Sequence, residues 1–357
     1  MGHDHTHPHP QNQPGIAAAL SAAILFGASV PLAKLLLGGI APWMMAGLLY
    51  LGSGLGLGLV LLIRRTPRQG LAKGEGPWLL GAIACGGVAG PVLLMWGLRG
   101  SGAAGASLLL NAEGVFTALL AWFAFRENFD RRIALGMIAI IAGAVVLSWQ
   151  GEFNPATIGP PLAILGACLC WAVDNNLTRR VSLADPLQIA AIKGLAAGVT
   201  NLAIALLDGA SLPTPLGAAE AGLVGFLGYG LSLALFVTAL RELGTARAGA
   251  YFSAAPFFGA LLAIPLLGET PTLRLFAAGG LMGLGLWLHL TERHEHAHQH
   301  EPTEHSHTHD HGDPHHHHPH PEAVNEDGEP HAHWHRHTPL RHRHPHYPDA
   351  HHRHRHG

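Results

Sequence analysis

Of the 29 histidines in this chain, all but His289 lie before residue 10 or after residue 293. They come mostly in His-x-His steps. His3, His5, His7 and His9 open the chain, and His294, His296, His298, His300, His305, His307, His309 and His311 follow the last apolar run. His315, His316, His317 and His318 form one block, and His331, His333, His335 and His337 stand beyond an acidic spacer. Imidazole suits Ni²⁺, Co²⁺, Cu²⁺ and Zn²⁺, and dense histidines on a flexible segment bind such ions without a preformed cage. Capture of divalent metal is therefore the expected chemistry of both ends, with no resident cofactor required. The competing use of the same residues is a polycation that meets anionic lipid once protonated. Residues 291–357 hold 24 histidines in 67 positions and almost no aliphatic side chains, so they cannot bury a core and are expected to be disordered.

A second set of polar residues lies in long apolar surroundings. Glu113 falls near the middle of an apolar run at 103–125, with Asn111 close by. A charge inside a bilayer is costly and is a functional suspect by default. A carboxyl held there can take up and release a proton; its other use is a neutral acid hydrogen-bonded to a neighbouring helix. Asp174, Asn175 and Asn176 end another run, and Lys193 lies about two turns into the next. An Asp174–Lys193 ion pair is expected there as a structural tie, with solute contact as the competing role. Lys34 can snorkel from the end of the first run. Glu127 and Glu269 are expected at helix starts and in loop salt bridges. Cys170 and Asp174 share a helix face, a weak metal hint. Cys168 and Cys170 point about 200° apart on a helix and cannot bridge each other. No nucleotide-binding loop, nucleophile constellation or zincin motif is present, which argues against an enzyme. No nucleic-acid partner is implied.

Those polar residues need elements to hold them, and the chain supplies apolar runs of membrane-crossing length. A run of about 20 apolar residues spans the hydrocarbon core as a helix. Such runs lie at about 16–37, 42–63, 77–98, 103–125, 133–149, 160–177, 187–207, 216–240, 246–267 and 274–290. The expected fold is all-α, with ten transmembrane helices and the lipid bilayer as partner. The first run is too long for a signal-peptide core and reads as a retained helix. With the N-terminus inside, the inner loops carry Arg64, Arg65, Arg68, Lys73, Arg126, Arg131, Arg132, Arg179, Arg180, Arg241 and Arg247, against Arg99 and Arg274 outside. The excess of basic residues inside puts both termini in the cytoplasm of an inner (plasma) membrane protein. Gly52, Gly54, Gly56 and Gly58, and likewise Gly279 and Gly283, have the spacing of close helix contacts. Pro31, Pro91 and Pro256 are expected to kink their helices.

Sliding the chain against itself by 142 residues brings Gly86 onto Gly228, Arg99 onto Arg241, Ala104 onto Ala246, Glu127 onto Glu269 and Gly143 onto Gly285. Asp130 and Thr272 also coincide, each placed to cap the helix that follows. Each half holds five runs, an odd number, so the second half enters the membrane upside down. Inverted repeats are a mark of secondary transporters. The stretches Leu98–Ser107, Asn111–Trp122 and Phe125–Arg132, with a second copy from Ser253 through Glu269, resemble the EamA repeat of the drug/metabolite transporter superfamily. The resemblance implies two inverted five-helix repeats around a central cavity, alternating access and, often, export of metabolites. The family's usual Glu-Pro stands here as Glu113-Gly114 in the first copy and Ala255-Pro256 in the second, so any kink is expected to differ between halves.

The organisation expected is a His-rich tail at 1–15, one five-helix repeat at 16–149, a second at 150–290, and a His-rich tail at 291–357. The function expected is secondary-active export of a small metabolite or ion, with Asn111, Glu113, Asp174, Asn175, Asn176 and Lys193 as solute-site candidates. Efflux of a divalent metal ion and a non-transporting membrane metal buffer or sensor are the competing readings.

Overall fold

A computed structural model describes residues 13–65, 71–125, 131–149, 154–181, 185–243, 245–291, 295–299, 304–309, 331–336 and 341–345. The chain divides into a helical unit up to Glu292 and a second unit from Arg293. In the helical unit the helices are α1 (Gln13–Leu36), α2 (Pro42–Ile63), α3 (Gly76–Ala82), α4 (Gly90–Gly100), α5 (Ala103–Leu109), α6 (Ala112–Phe125) and α7 (Arg131–Ser148). They continue as α8 (Pro155–Thr178), α9 (Pro186–Leu207), α10 (Pro215–Gly225), α11 (Ser232–Leu243), α12 (Thr245–Phe252), α13 (Ala255–Leu267) and α14 (Leu273–Leu290). π-Helical turns, Ile83–Ala89 and Phe226–Leu231, join α3 to α4 and α10 to α11.

Among the described residues nine helical stretches are long and apolar enough to cross a membrane, and Arg132–Ser148 is a shorter apolar helix. Their outer surfaces carry leucines in the open: Leu55, Leu59, Leu62, Leu80, Leu207 and Leu273 are all exposed. In water each would be a liability; against lipid tails they are the required surface. Trp78, Trp96, Trp149 and Trp287 are exposed too, as residues of a membrane boundary are.

The two halves repeat element by element. An offset of 142 residues carries α1 onto the bounds of α8 and α7 onto those of α14, and brings the first π-turn to within a residue of the second. The packing repeats as well. α2 lies against its own mate α9, and α7 against its mate α14. α4 and α6 pack on α8, as α11 and α13 pack on α1. The first helix of each half is thus embraced by the other half.

Four of the expected helices contain interruptions that periodicity could not show. Pro91 has no N–H to give to the carbonyl of Gly87, one turn back, and the backbone widens into the first π-turn just before it. The run 103–125 breaks at Leu110 and Asn111, between α5 and α6; the run 246–267 breaks at Ser253 and Ala254, one residue beyond the repeat-equivalent positions, with Pro256 at the start of α13. Both halves break within a residue of the same place, the first just ahead of Glu113-Gly114 and the second just ahead of Ala255-Pro256. Pro31 lies inside an unbroken α1.

Gly52, Gly54 and Gly56 let α2 approach α10, α9 and the ring of Phe226 more closely than any side chain would permit, whereas Gly58 faces open space. Gly279 and Gly283 make looser approaches to Leu108 and Phe257.

In the second unit the described residues form four short strands: β1 (Glu295–Gln299), β2 (Glu304–His309), β3 (His331–Arg336) and β4 (Arg341–Pro345). β1 pairs antiparallel with β4, setting His296 opposite His344 and His298 opposite His342. β2 pairs antiparallel with β3, setting His305, His307 and His309 opposite His335, His333 and His331. The expectation of a tail without regular structure is corrected for these segments. His-x-His steps have the period of a strand, and a two-stranded ladder satisfies backbone groups without needing a core. His3, His5, His7, His9, His294, His300, His311, His315, His316, His317, His318 and His337 lie outside the described residues, as do Glu127 and Asp130.

Candidate functional site

Glu113 is in the first turn of α6, just after the break at Asn111, and Asn175 is in the last turn of α8. The Asn175 amide donates to Glu113 Oε1 at 2.8 Å. Asn175 is exposed although it lies within a span, and Gly114 beside the acid is exposed as well. Two polar side chains thus meet between α6 and α8, within stretches apolar enough to cross a membrane.

One residue earlier on α8, Asp174 turns inward. Lys193 Nζ of α9 lies 2.5 Å from Asp174 Oδ1, the ion pair expected from the sequence, and both side chains are nearly buried. Thr178 donates to the same carboxylate oxygen at 2.8 Å, and its own oxygen accepts from Lys193 at 3.2 Å. Gly86 has no room for a Cβ because the Asp174 side chain fills that space. The π-turn presents its freed carbonyls to neighbouring helices. Gly86 O accepts from Tyr50 Oη at 2.8 Å and from Trp171 Nε1 at 3.0 Å. Gly87 O accepts from the amide of the fully buried Asn201 at 2.9 Å.

Asn111 and Asn176 are not brought into this group. Asn111 donates to Leu108 O and Asn176 to Ala172 O, each at 2.8 Å and each within its own segment. Tyr50, Trp171, Thr178 and Asn201 are residues the sequence reading missed. A hydroxyl, an indole N–H and an amide inside apolar runs were the available signal, since each must find a partner when buried.

A file of half-buried rings continues from Tyr50. Its ring lies 5.7 Å from Tyr229, Tyr229 lies 5.8 Å edge-on from Phe26, and Phe26 lies 5.5 Å from Phe252, which meets Phe236 at 4.6 Å. These rings come from α2, the second π-turn, α1, α12 and α11.

At one end of the helical unit a single acid holds two chain segments together. Glu269 follows the left-handed Gly268 at the end of α13, and its two carboxylate oxygens accept from the amides of Ala103 (2.5 Å) and Ala104 (3.0 Å), which begin α5. Lys34 of α1 donates to the carbonyls of Leu98 and Arg99 beside it. The expected service of Glu269 at a helix start is found, but at a helix of the other half rather than the one that follows it. Thr272 caps that following helix, accepting from Leu275 N at 3.2 Å. Arg274 donates to Trp149 O, and Arg132 of α7 donates to Thr291 O at the far end of α14.

Residues 13–149 and 160–291 each match the EamA-like transporter family, and the chain belongs to that family of membrane transporters. It is similar to an uncharacterized transporter of Methanothermobacter thermautotrophicus, 30% identical over 296 residues that cover 77% of this chain and 85% of the other. A solved crystal structure shares the fold, with a TM-score of 0.58 at 20% identity, covering 76% of this chain and 95% of that one.

Proposed function

We propose that the chain is a secondary-active exporter of a small solute, working by alternating access between two inverted five-helix repeats in the plasma membrane, with both termini in the cytoplasm. The observation that carries this reading is unequal closure of repeat-equivalent contacts. α5 packs closely on α13, where Ser107 is fully buried against Gly259. Among the described residues the equivalent pair, α12 and α6, makes no comparable contact, and a Cβ on Gly249, the mate of Ser107, would meet nothing within 4 Å. A protein whose halves are equivalent in sequence but not in closure has a natural second state, in which the two ends exchange arrangements. On the topology read from the basic residues, the closed end is the outer one.

Glu269 is then the outer latch. Replacing Glu269 with Ala removes an acceptor from two helix-start amides, and the outward-open state becomes more populated. The expected result is about fivefold faster labelling of a cysteine at position 101 by a membrane-impermeant maleimide, the change of roughly 1 kcal/mol that a lost helix cap gives. Unchanged labelling together with unchanged transport would remove both the latch and this reading of the two ends.

The histidine segments are proposed to bind Ni²⁺, Co²⁺, Zn²⁺ or Cu²⁺ on the cytoplasmic side, supported by their His-x-His spacing and by the histidine-on-histidine register of both ladders. Tethered sites act through effective concentration and help most when free ion is scarce. A chain ending at His289 is expected to lose nickel binding in equilibrium dialysis. If nickel is also cargo, truncation weakens its efflux only at low concentration. If metal acts as a regulator, neither form carries nickel, and truncation alters only the metal sensitivity of solute transport. Undiminished nickel binding by the truncated protein would end the tail reading.

A further inference from the structure

Deep in the spans, the charges of the described residues are unevenly matched. Among the described residues deep in the spans, Lys193 is matched by Asp174 and Thr178, and Lys34 is engaged by backbone carbonyls at the closed end. Glu113 has an amide partner and no cation. A solute carboxylate or phosphate entering this region would meet an unmatched acid and a lysine already taken. A neutral sugar would leave that acid without a counter-charge. A divalent ion calls for several converging ligands, and no group of three or more His, Cys, Asp or Glu is found among the described residues.

The acid is also linked to the ring file through adjacent residues of α8. Glu113 meets Asn175; the next residue back, Asp174, fills the space at Gly86; the Gly86 carbonyl holds the Tyr50 hydroxyl; and Tyr50 begins the rings Tyr229, Phe26 and Phe252. Aromatic faces attract cations, and their edges and faces take up flat apolar bodies.

Resting on the transporter reading above, we propose that the solute is a singly charged organic cation, an amine carrying a flat apolar body. Its ammonium group sits at Glu113 and its apolar body lies along Tyr50, Tyr229 and Phe26. The pair Asp174–Lys193 fixes α8 so that Asn175 presents the acid, and takes no part in charge recognition.

The test is titration calorimetry on the full-length protein in detergent with three probes of nearly equal size: phenethylamine, the neutral 2-phenylethanol and the zwitterion phenylalanine. Phenethylamine is expected to bind at least about tenfold more tightly than either of the others, the discrimination a buried unpaired charge produces. Glu113→Gln should weaken phenethylamine about tenfold or more and leave 2-phenylethanol unchanged, while Glu113→Asp retains the preference. Tyr229→Leu should cost about fivefold for the amine, as a lost cation–ring contact does. Gel-filtration profiles matching the wild type show that each variant is folded. Equal affinity for phenylalanine, an unchanged amine affinity in Glu113→Gln, or no binding of any of the three probes would overturn the cation assignment. Labelling at position 101 uses no solute. A chain that alternates there but ignores the amine therefore loses the substrate class alone, and one that does not alternate loses the transporter reading.

Discussion

Glu113→Gln is expected to cut solute movement driven by a proton gradient to a small fraction of the wild-type rate while leaving the protein inserted and folded. Glutamine keeps the size of the side chain and can still pair with Asn175, so the bond at 2.8 Å has a substitute partner. What it cannot do is take a proton and release it as the cleft turns from one side to the other. A positioned proton-transfer group contributes on the order of a hundredfold, and gradient-driven uptake into vesicles is expected to fall by about that factor. Exchange of labelled for unlabelled solute, which needs no net proton movement, should fall less. Wild-type uptake by Glu113→Gln across pH 6 to 8 would make the acid a structural hydrogen-bonding group and nothing more.

The second large effect concerns stability. Asp174→Asn leaves the Lys193 ammonium in the bundle with an amide oxygen and a hydroxyl but no counter-charge. Breaking a buried pair from one side costs about 3–5 kcal/mol, whereas replacing the pair with apolar residues of similar volume is often close to neutral. Asp174→Asn is therefore expected to lower the melting temperature in detergent markedly, and Asp174→Leu combined with Lys193→Met to restore most of the loss. Thr178, bonded to both partners, should show a smaller effect of the same sign. If the double variant stays folded and transports, the pair is a tie between α8 and α9. If it melts normally and transports nothing, the pair belongs to the solute path instead.

Helix positions were legible in the sequence because the hydrocarbon core leaves the backbone no other way to satisfy its hydrogen bonds. The Asp174–Lys193 pair was legible for a related reason: two opposite charges facing the same membrane interior must find each other. Glu269 was harder. It reaches amides 166 and 165 residues away in sequence, and no local pattern announces that an acid will start a helix it does not precede. Asn111 and Asn176 were marked for solute contact by their polarity, yet each turns to a carbonyl of its own segment. Which way an amide points depends on the twist of the local backbone, and the break at Asn111 is a product of packing. The ring file was hidden because its members come from five different segments.

The two π-turns are equivalent in sequence position but not in how they are fastened. The first is bolted to three other helices, since Tyr50 of α2 and Trp171 of α8 hold Gly86 O while Asn201 of α9 holds Gly87 O. The second also packs on α1 and α2, with Gly228 tight against Ser29, but its Gly228 carbonyl accepts from Ser232 Oγ of its own helix at 2.5 Å. Carbonyls held by side chains of three other helices cannot turn without them, whereas a carbonyl held from its own helix can. On the alternating-access reading proposed above, the first π-turn therefore belongs to the part that travels as one body with α2, α8 and α9.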